Sequence, residues 1–297
     1  MTTRGARALQ SILAAAAMVV AAFQLVSQTG AAELAKPQRI VSVNLCTDQI
    51  LVELAPRGRI AAVTNLATDP LSTPVPEAAA GLPITDGTAE SVLAFDPDLV
   101  LVTPFTSPAT VSLLQRLGRR VVTIPLAQDF AGIRVAIQAI ALAIGDMAAG
   151  EALVTQFDAA LRVTEARVRA TVGSAPRAAV YQVNNYVAGT SGIVDEALRR
   201  AGFSNHAAAY GIGFGRQVSL EEIVTAPPDV LVLSSGPNDY ATTVADNLRH
   251  PMLQRMAARM PSVVIPWSLW LCGTQHIVRA VQMLVEARLQ LVRGRAP

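Results

Sequence analysis

Residues able to carry out chemistry are few in this 297-residue chain. Its three histidines, His206, His250 and His276, lie in separate regions, and no two share a spacing that would turn both toward one ion. A zinc or manganese centre draws several imidazoles or carboxylates together, so no metal site is expected, and each histidine is read as a surface or helix-end residue. No Gly-x-Ser-x-Gly turn occurs, and no Ser or Cys nucleophile has a recognisable base partner. Gly211-Ile-Gly-Phe-Gly215 has the glycines of a phosphate cradle but no clear strand directly before it, so it is read as a cleft-lining loop. Glu90 and Glu221 resemble a carboxylate pair, yet both stand at starts of helices, where capping and dipole effects explain them better. No catalytic residue is assigned.

Another kind of chemistry is better represented. The chain is poor in aromatic residues, with 7 Phe, 4 Tyr and 2 Trp. Even so, Phe105, Tyr186, Tyr240, Trp267 and Trp270 all fall just after predicted strands. Parallel α/β sheets bind ligands in the crevice beyond the carboxyl ends of their strands. The same class of position holds Asn44, Cys46 and Thr47, and the glycine-rich loop adds Arg216. Rings with amide and hydroxyl neighbours suit a large, flat, partly polar ligand. The plainer alternative has some of these rings filling the core of their own domain.

The elements that would position these residues form a doubled pattern. Residues 90 to 103 read Glu-Ser-Val-Leu-Ala-Phe-Asp-Pro-Asp-Leu-Val-Leu-Val-Thr, and residues 221 to 234 read Glu-Glu-Ile-Val-Thr-Ala-Pro-Pro-Asp-Val-Leu-Val-Leu-Ser. Glu90 matches Glu221, Pro97 matches Pro228 and Asp98 matches Asp229, all 131 positions apart. That period is too long for a solenoid repeat of about 20 to 50 residues and predicts two similar domains. Strands over 39–44, 60–64, 82–85, 99–103 and 121–124 alternate with helical segments, which is the pattern of a parallel sheet. Asp129 caps a helix ending near Ile144, and a second helix runs from Met147 to about Val172. The expected architecture is α/β: two similar Rossmann-like lobes with central, mostly parallel sheets, joined by one long rigid helix. The boundaries are an N-terminal lobe over 36–145, a connecting helix over 146–172 and a C-terminal lobe over 176–297. Segments 184–191 and 204–217 are expected to be loops.

Residues 1–32 stand apart. Arg4 and Arg7 precede an almost wholly apolar run from Ser11 to Val26, and Ser27 to Ala32 supplies small residues. This is the pattern of a secretory signal peptide, with cleavage after Ala31 or Ala32. Export makes an oxidising compartment the setting for Cys46 and Cys272, 226 positions apart. They are read as two small, partly buried hydrophobes; a disulfide, which requires the two ends of the chain to meet, is the alternative. A net charge of +2 with no basic stripe sets nucleic-acid binding aside.

The signal segment, the Arg39-Ile-Val-Ser-Val-Asn44 start, a Pro-Asp-hydrophobic strand in each half and the helix between halves resemble the periplasmic binding proteins for vitamin B12 and ferric siderophores. Asn44-Leu-Cys-Thr-Asp48 and Trp270-Leu-Cys-Gly-Thr274 look like a subgroup of them. The resemblance implies a monomer that holds an iron-siderophore or cobalamin-type ligand between its lobes. That ligand would be handed to an ABC importer's permease and ATPase, with no catalysis and no cofactor beyond the ligand's own cobalt or iron. It also implies aromatic packing on a corrinoid, with Trp270 and Tyr186 in matching loops and Phe105 close to a third. Each lobe of those relatives docks the permease through a surface Glu; the first of these positions falls near Pro108 here, and Asp239 or Asp246 stands near the second. Haem held by Tyr186, Tyr240 or His276 is an alternative ligand. An exported enzyme using Asp48, Asp239 and His276, or a sensor of the same fold, are alternative functions.

Overall fold

The computed structural model describes residues 36–169, 174–235 and 245–294. The signal segment and Tyr240 lie outside the described residues. From Pro37 onward the chain forms one compact unit.

The first half alternates strand and helix. In order come β1 (Ile40–Ser42), α1 (Leu45–Leu54), β2 (Ile60–Thr64), α2 (Pro76–Ala79), β3 (Ile84–Thr85), α3 (Ala89–Leu93), β4 (Leu99–Val102), α4 (Pro108–Arg116) and β5 (Val121–Thr123). The five strands are all parallel, in the order β3-β2-β1-β4-β5. β1 and β4 are buried along their whole length, as central strands covered on both faces must be. The direction of winding reverses between β1 and β4, so the crevice of this sheet opens above their carboxyl ends.

Two helices lead out of this sheet. The Asp129 side chain accepts from Gly132 N and caps α5 (Phe130–Ile144), which ends at Gly145 in the left-handed region, φ 72°. α6 (Met147–Arg169) follows, and its 23 residues span roughly 35 Å at 1.5 Å per residue. The two helices approach closely at Gly150, where a Cβ would lie 2.4 Å from that of Ala141. Arg134 spans them, paired with Asp158 at 2.5 Å.

The second half holds β6 (Arg177–Tyr181), β7 (Tyr186–Val187), α7 (Ile193–Arg200), β8 (Ser204–Asn205), β9 (Arg216–Gln217), α8 (Leu220–Thr225), β10 (Val230–Leu233), α9 (Asp246–Arg249), α10 (Pro251–Arg259), β11 (Ser262–Val264) and α11 (Ile277–Val292). The sheet order is β11-β10-β6-β7-β9, with β8 also on β6. β8 and β10 pair parallel with β6, and β11 with β10, whereas β7 runs antiparallel to both its neighbours, β6 and β9. Tyr186 and Arg216, expected in loops, are therefore paired strand residues. The physical cause is the turn after β6. Asn184 and Asn185 adopt φ 56° and 57°, a region asparagine tolerates better than most side chains, and the chain folds straight back along β6.

The doubled motif does the same work twice. β4 and β10 each follow a short capped helix, through Thr88 in one copy and a Ser219–Glu222 capping box in the other. Asp98 then accepts from Gln38 N and Arg39 N, at the start of β1. Asp229 accepts from Arg177 N at the start of β6 and pairs with the Arg177 guanidinium, which holds its carboxyl at about 2. In each copy the aspartate fastens the neighbouring central strand.

One of three apolar clusters among the described residues runs across both halves. It joins residues of α1, α5 and α6 to Leu198 of α7, Trp270 and the inner face of α11.

Candidate functional site

Beyond the carboxyl end of β6 lies a cavity of about 450 Å³. Gln182, Tyr186 and Gly189 line it from the β6–β7 hairpin and its exit, and Ser191 and Ile193 from the start of α7. Phe214 and Gly215 close one side, Trp267 and Trp270 form a wall, and Gln128 enters from the segment that leaves the first sheet. None of the described residues lining it is charged. The surface is aromatic and amide, built to stack on a flat face and exchange neutral hydrogen bonds. Of the other concave places, one is a charged groove at Glu165 and Arg200 and another a methionine-lined groove at Met252 and Met256; neither has an aromatic ring.

Two glycines set its geometry. A Cβ on Gly189 would lie 2.4 Å from Gly213 O, so the 189 and 213 backbones touch directly. A Cβ on Gly215 would lie 1.7 Å from the Tyr186 hydroxyl oxygen, so the Tyr186 ring rests on bare backbone. Trp270 is 5% exposed, and its indole N–H has no hydrogen-bond partner among the described residues.

The sequence-predicted residues divide. Tyr186, Trp267 and Trp270 come together in the cavity. Asn44, Cys46, Thr47, Phe105 and Arg216 are not among its lining residues. Asn44 caps α1 by accepting from Cys46 N. Thr47 is buried, its hydroxyl 2.7 Å from Ser42 Oγ and donating to Asn44 O. Phe105 is 84% exposed on the loop after β4. Arg216 is bound to Glu222 at 2.8 Å and donates to Tyr210 O. Cys46 and Cys272 are not two separate hydrophobes but a disulfide, Cα–Cα 5.2 Å.

The histidines meet expectation only in part. His206 is buried, its Nε2 2.9 Å from Ala226 O. His276 stands at the N-terminus of α11, a helix end as expected, but is buried against Glu53, with Nε2 3.1 Å from the carboxylate; His250 caps α10 through its side chain. Among the described residues no cluster of His, Cys, Asp or Glu could hold a metal ion.

Gln128 and Gln182 were missed. Gln182 directly follows β6 and satisfies the strand-end rule; Gln128 carries no such signal. One titrating group sits under the first sheet's crevice. Asp48 is fully buried, accepts from Thr64 N and Oγ1, and burial pushes it up to about 7 against those bonds.

The family described as periplasmic binding protein matches residues 40–261, well over half of the chain. The chain belongs to the periplasmic binding protein family. The fold is the two-lobed one of that family. Members are substrate-binding components of importers rather than enzymes. A "cobalamin-binding protein" of Halobacterium salinarum is 28% identical over 199 residues, 66% of this chain and 54% of the relative. The chain thus spans about half the length of the curated relatives it matches. Among solved structures, the apo form of periplasmic heme-binding protein RhuT from Roseiflexus sp. RS-1 has a TM-score of 0.71 at 24% identity, over 86% of this chain and 99% of that one. Periplasmic heme-binding protein BhuT in complex with two hemes has a TM-score of 0.69 at 25% identity, over 86% of this chain and 98% of that one. Among the described residues no helix is long and apolar enough to cross a membrane.

Proposed function

We propose that this chain is exported, loses its signal peptide near Ala31 or Ala32, captures a corrinoid in the cleft and delivers it to the permease and ATPase of an ABC importer. The observation that carries this reading is the uncharged cavity wall. Tyr186, Trp267 and the exposed Phe214 offer apolar faces to a large ring, with Trp270 packed behind them in the core, and the Gln128 and Gln182 amides suit the neutral amide arms of a corrinoid. The relative described as cobalamin-binding supports the same class.

Haem is the second reading, favoured by the two heme-binding structures and by the Tyr186 hydroxyl at the cavity. A haem carries two carboxylates, and burying them without a cation is costly. Arg216, the cation expected to serve an anionic ligand, is spent on Glu222, which also counts against acidic siderophores. Among the described residues an enzymatic reading finds no support: Asp48 is committed to Thr64 and His276 to Glu53, and Asp239 lies outside them.

Titration of the mature protein with cyanocobalamin, hemin and ferric hydroxamate and catecholate chelates tests the reading. Cyanocobalamin is expected to bind at about 1 μM or tighter, near 8 kcal/mol. Binding of hemin or a siderophore with cyanocobalamin no tighter than about 100 μM would refute it.

A further inference from the structure

We infer that the Cys46–Cys272 disulfide is a positioning pair for the binding site, holding the tryptophan wall of the cavity at its working place. The inference rests on the cavity proposed above. It goes further by making affinity depend on a bond whose sulfurs lie outside the cavity lining.

The argument begins with one face of α1. Cys46, Gln49 and Glu53 recur at spacings of three and four residues, which places them along a single stripe of the helix. Each meets one short stretch of the other half. Cys46 is bonded to Cys272. Thr274 Oγ1 donates to Gln49 Oε1 at 2.9 Å. Gln275 Nε2 donates to Glu53 Oε2 at 2.8 Å, and His276 adds its contact to the same carboxylate. Arg279 donates to Pro74 O one turn further on. The segment from 272 to 279 is thus laced to the first half, with the covalent bond at the end nearest the cavity.

That end is continuous with the wall. A one-turn 3-10 helix spans Trp267–Leu269, and Trp270 N and Leu271 N both donate to Trp267 O. Both rings therefore ride on one small turn, and Cys272 lies two residues past Trp270. Gly273 then passes so tightly that a Cβ would sit 2.8 Å from Ala127 Cβ and 3.0 Å from Ile193 Cδ1. Ala127 adjoins Gln128, and Ile193 itself lines the cavity. Nothing polar pins the Trp270 ring, since its indole N–H has no partner among the described residues. Its place is set by packing and by the backbone that carries it, and the disulfide anchors that backbone.

The chain contains two tryptophans, Trp267 and Trp270, so intrinsic tryptophan emission reports on this wall alone. The experiment compares the oxidised mature protein with the same protein reduced by a water-soluble phosphine, and with a C46S/C272S variant. Reduction adds two electrons and two protons to the S–S bond to give two thiols, and the phosphine leaves as its oxide, with water supplying the oxygen. At a temperature where far-UV circular dichroism is unchanged, acrylamide quenching of tryptophan is expected to rise at least twofold. The dissociation constant for cyanocobalamin is expected to weaken tenfold or more. Thr274→Val, which removes only the Gln49 contact, is expected to move both readouts the same way by a smaller factor. A lowered melting temperature with unchanged quenching and unchanged affinity would overturn the inference and leave the bond a plain staple. If the C46S/C272S variant does not fold, the reduced wild-type protein decides. If the oxidised protein binds no cyanocobalamin, the functional reading fails separately, while unchanged quenching on reduction would still overturn the positioning role.

Discussion

Asp48 makes stability depend on pH in a direction opposite to that of most carboxylates. It has no exposed surface, and one of its oxygens, Oδ1, lacks a partner among the described residues. Burial raises it from 3.8 to about 7, outweighing the hydrogen bonds from Thr64. The folded protein therefore holds a proton here over a range in which the unfolded chain has lost it. The stabilisation is fully present below pH 4 and is lost as pH rises through 7. A tenfold change in proton affinity between the folded and unfolded chain is worth about 1.4 kcal/mol, so the loss amounts to as much as about 4 kcal/mol. The lowered carboxylates, Glu53 beside His276, Glu222 beside Arg216 and Asp229 beside Arg177, act the other way, losing their contribution as pH falls through the acid range. Urea unfolding between pH 4.5 and 8 should show wild-type stability declining across this window. Asp48→Asn, which cannot ionise, should decline far less and so gain on the wild type as pH rises. Parallel curves for the two proteins would refute the assignment of a proton to Asp48.

Other substitutions test the site and the scaffold. Gly215→Ala must push the Tyr186 ring off the backbone, and calorimetry should show cyanocobalamin binding weakened about tenfold, or 1.4 kcal/mol. Arg216→Gln removes an exposed ion pair worth less than about 1 kcal/mol, and affinity should stay within about twofold. Gly150→Ala would ordinarily stabilise a helix by up to about 1 kcal/mol. Here the new methyl meets Ala141 of α5 at 2.4 Å, so urea unfolding should report a loss of about 1–3 kcal/mol instead.

Long elements with strong local signals were legible from sequence. The Asp129 cap, the Gly145 stop and the matched β4 and β10 runs can be read because caps, left-handed glycines and continuous apolar strands leave marks in the chain. β7 and β9 could not, since two-residue strands show no alternation and the reversal at Asn184 and Asn185 looks like any polar loop. In the site, Tyr186, Trp267 and Trp270 followed from the strand-end rule. Asn44 and Thr47 satisfied the same rule but do not line this cavity; the Asn44 amide oxygen caps α1 and the Thr47 hydroxyl ties it to β1. Cys46–Cys272 lay beyond sequence logic: a separation of 226 positions says nothing about whether two Cα atoms meet.

The disulfide also changes what a broken chain would be. Its two sulfurs enclose most of the chain, including α6 and the whole of β6 through β11. A protease that cuts once anywhere inside this ring does not divide the protein into two diffusing fragments. The pieces stay covalently joined, and the nick is visible only on a gel run under reducing conditions. The same bond turns a single cleavage from loss of a half into a change of connectivity.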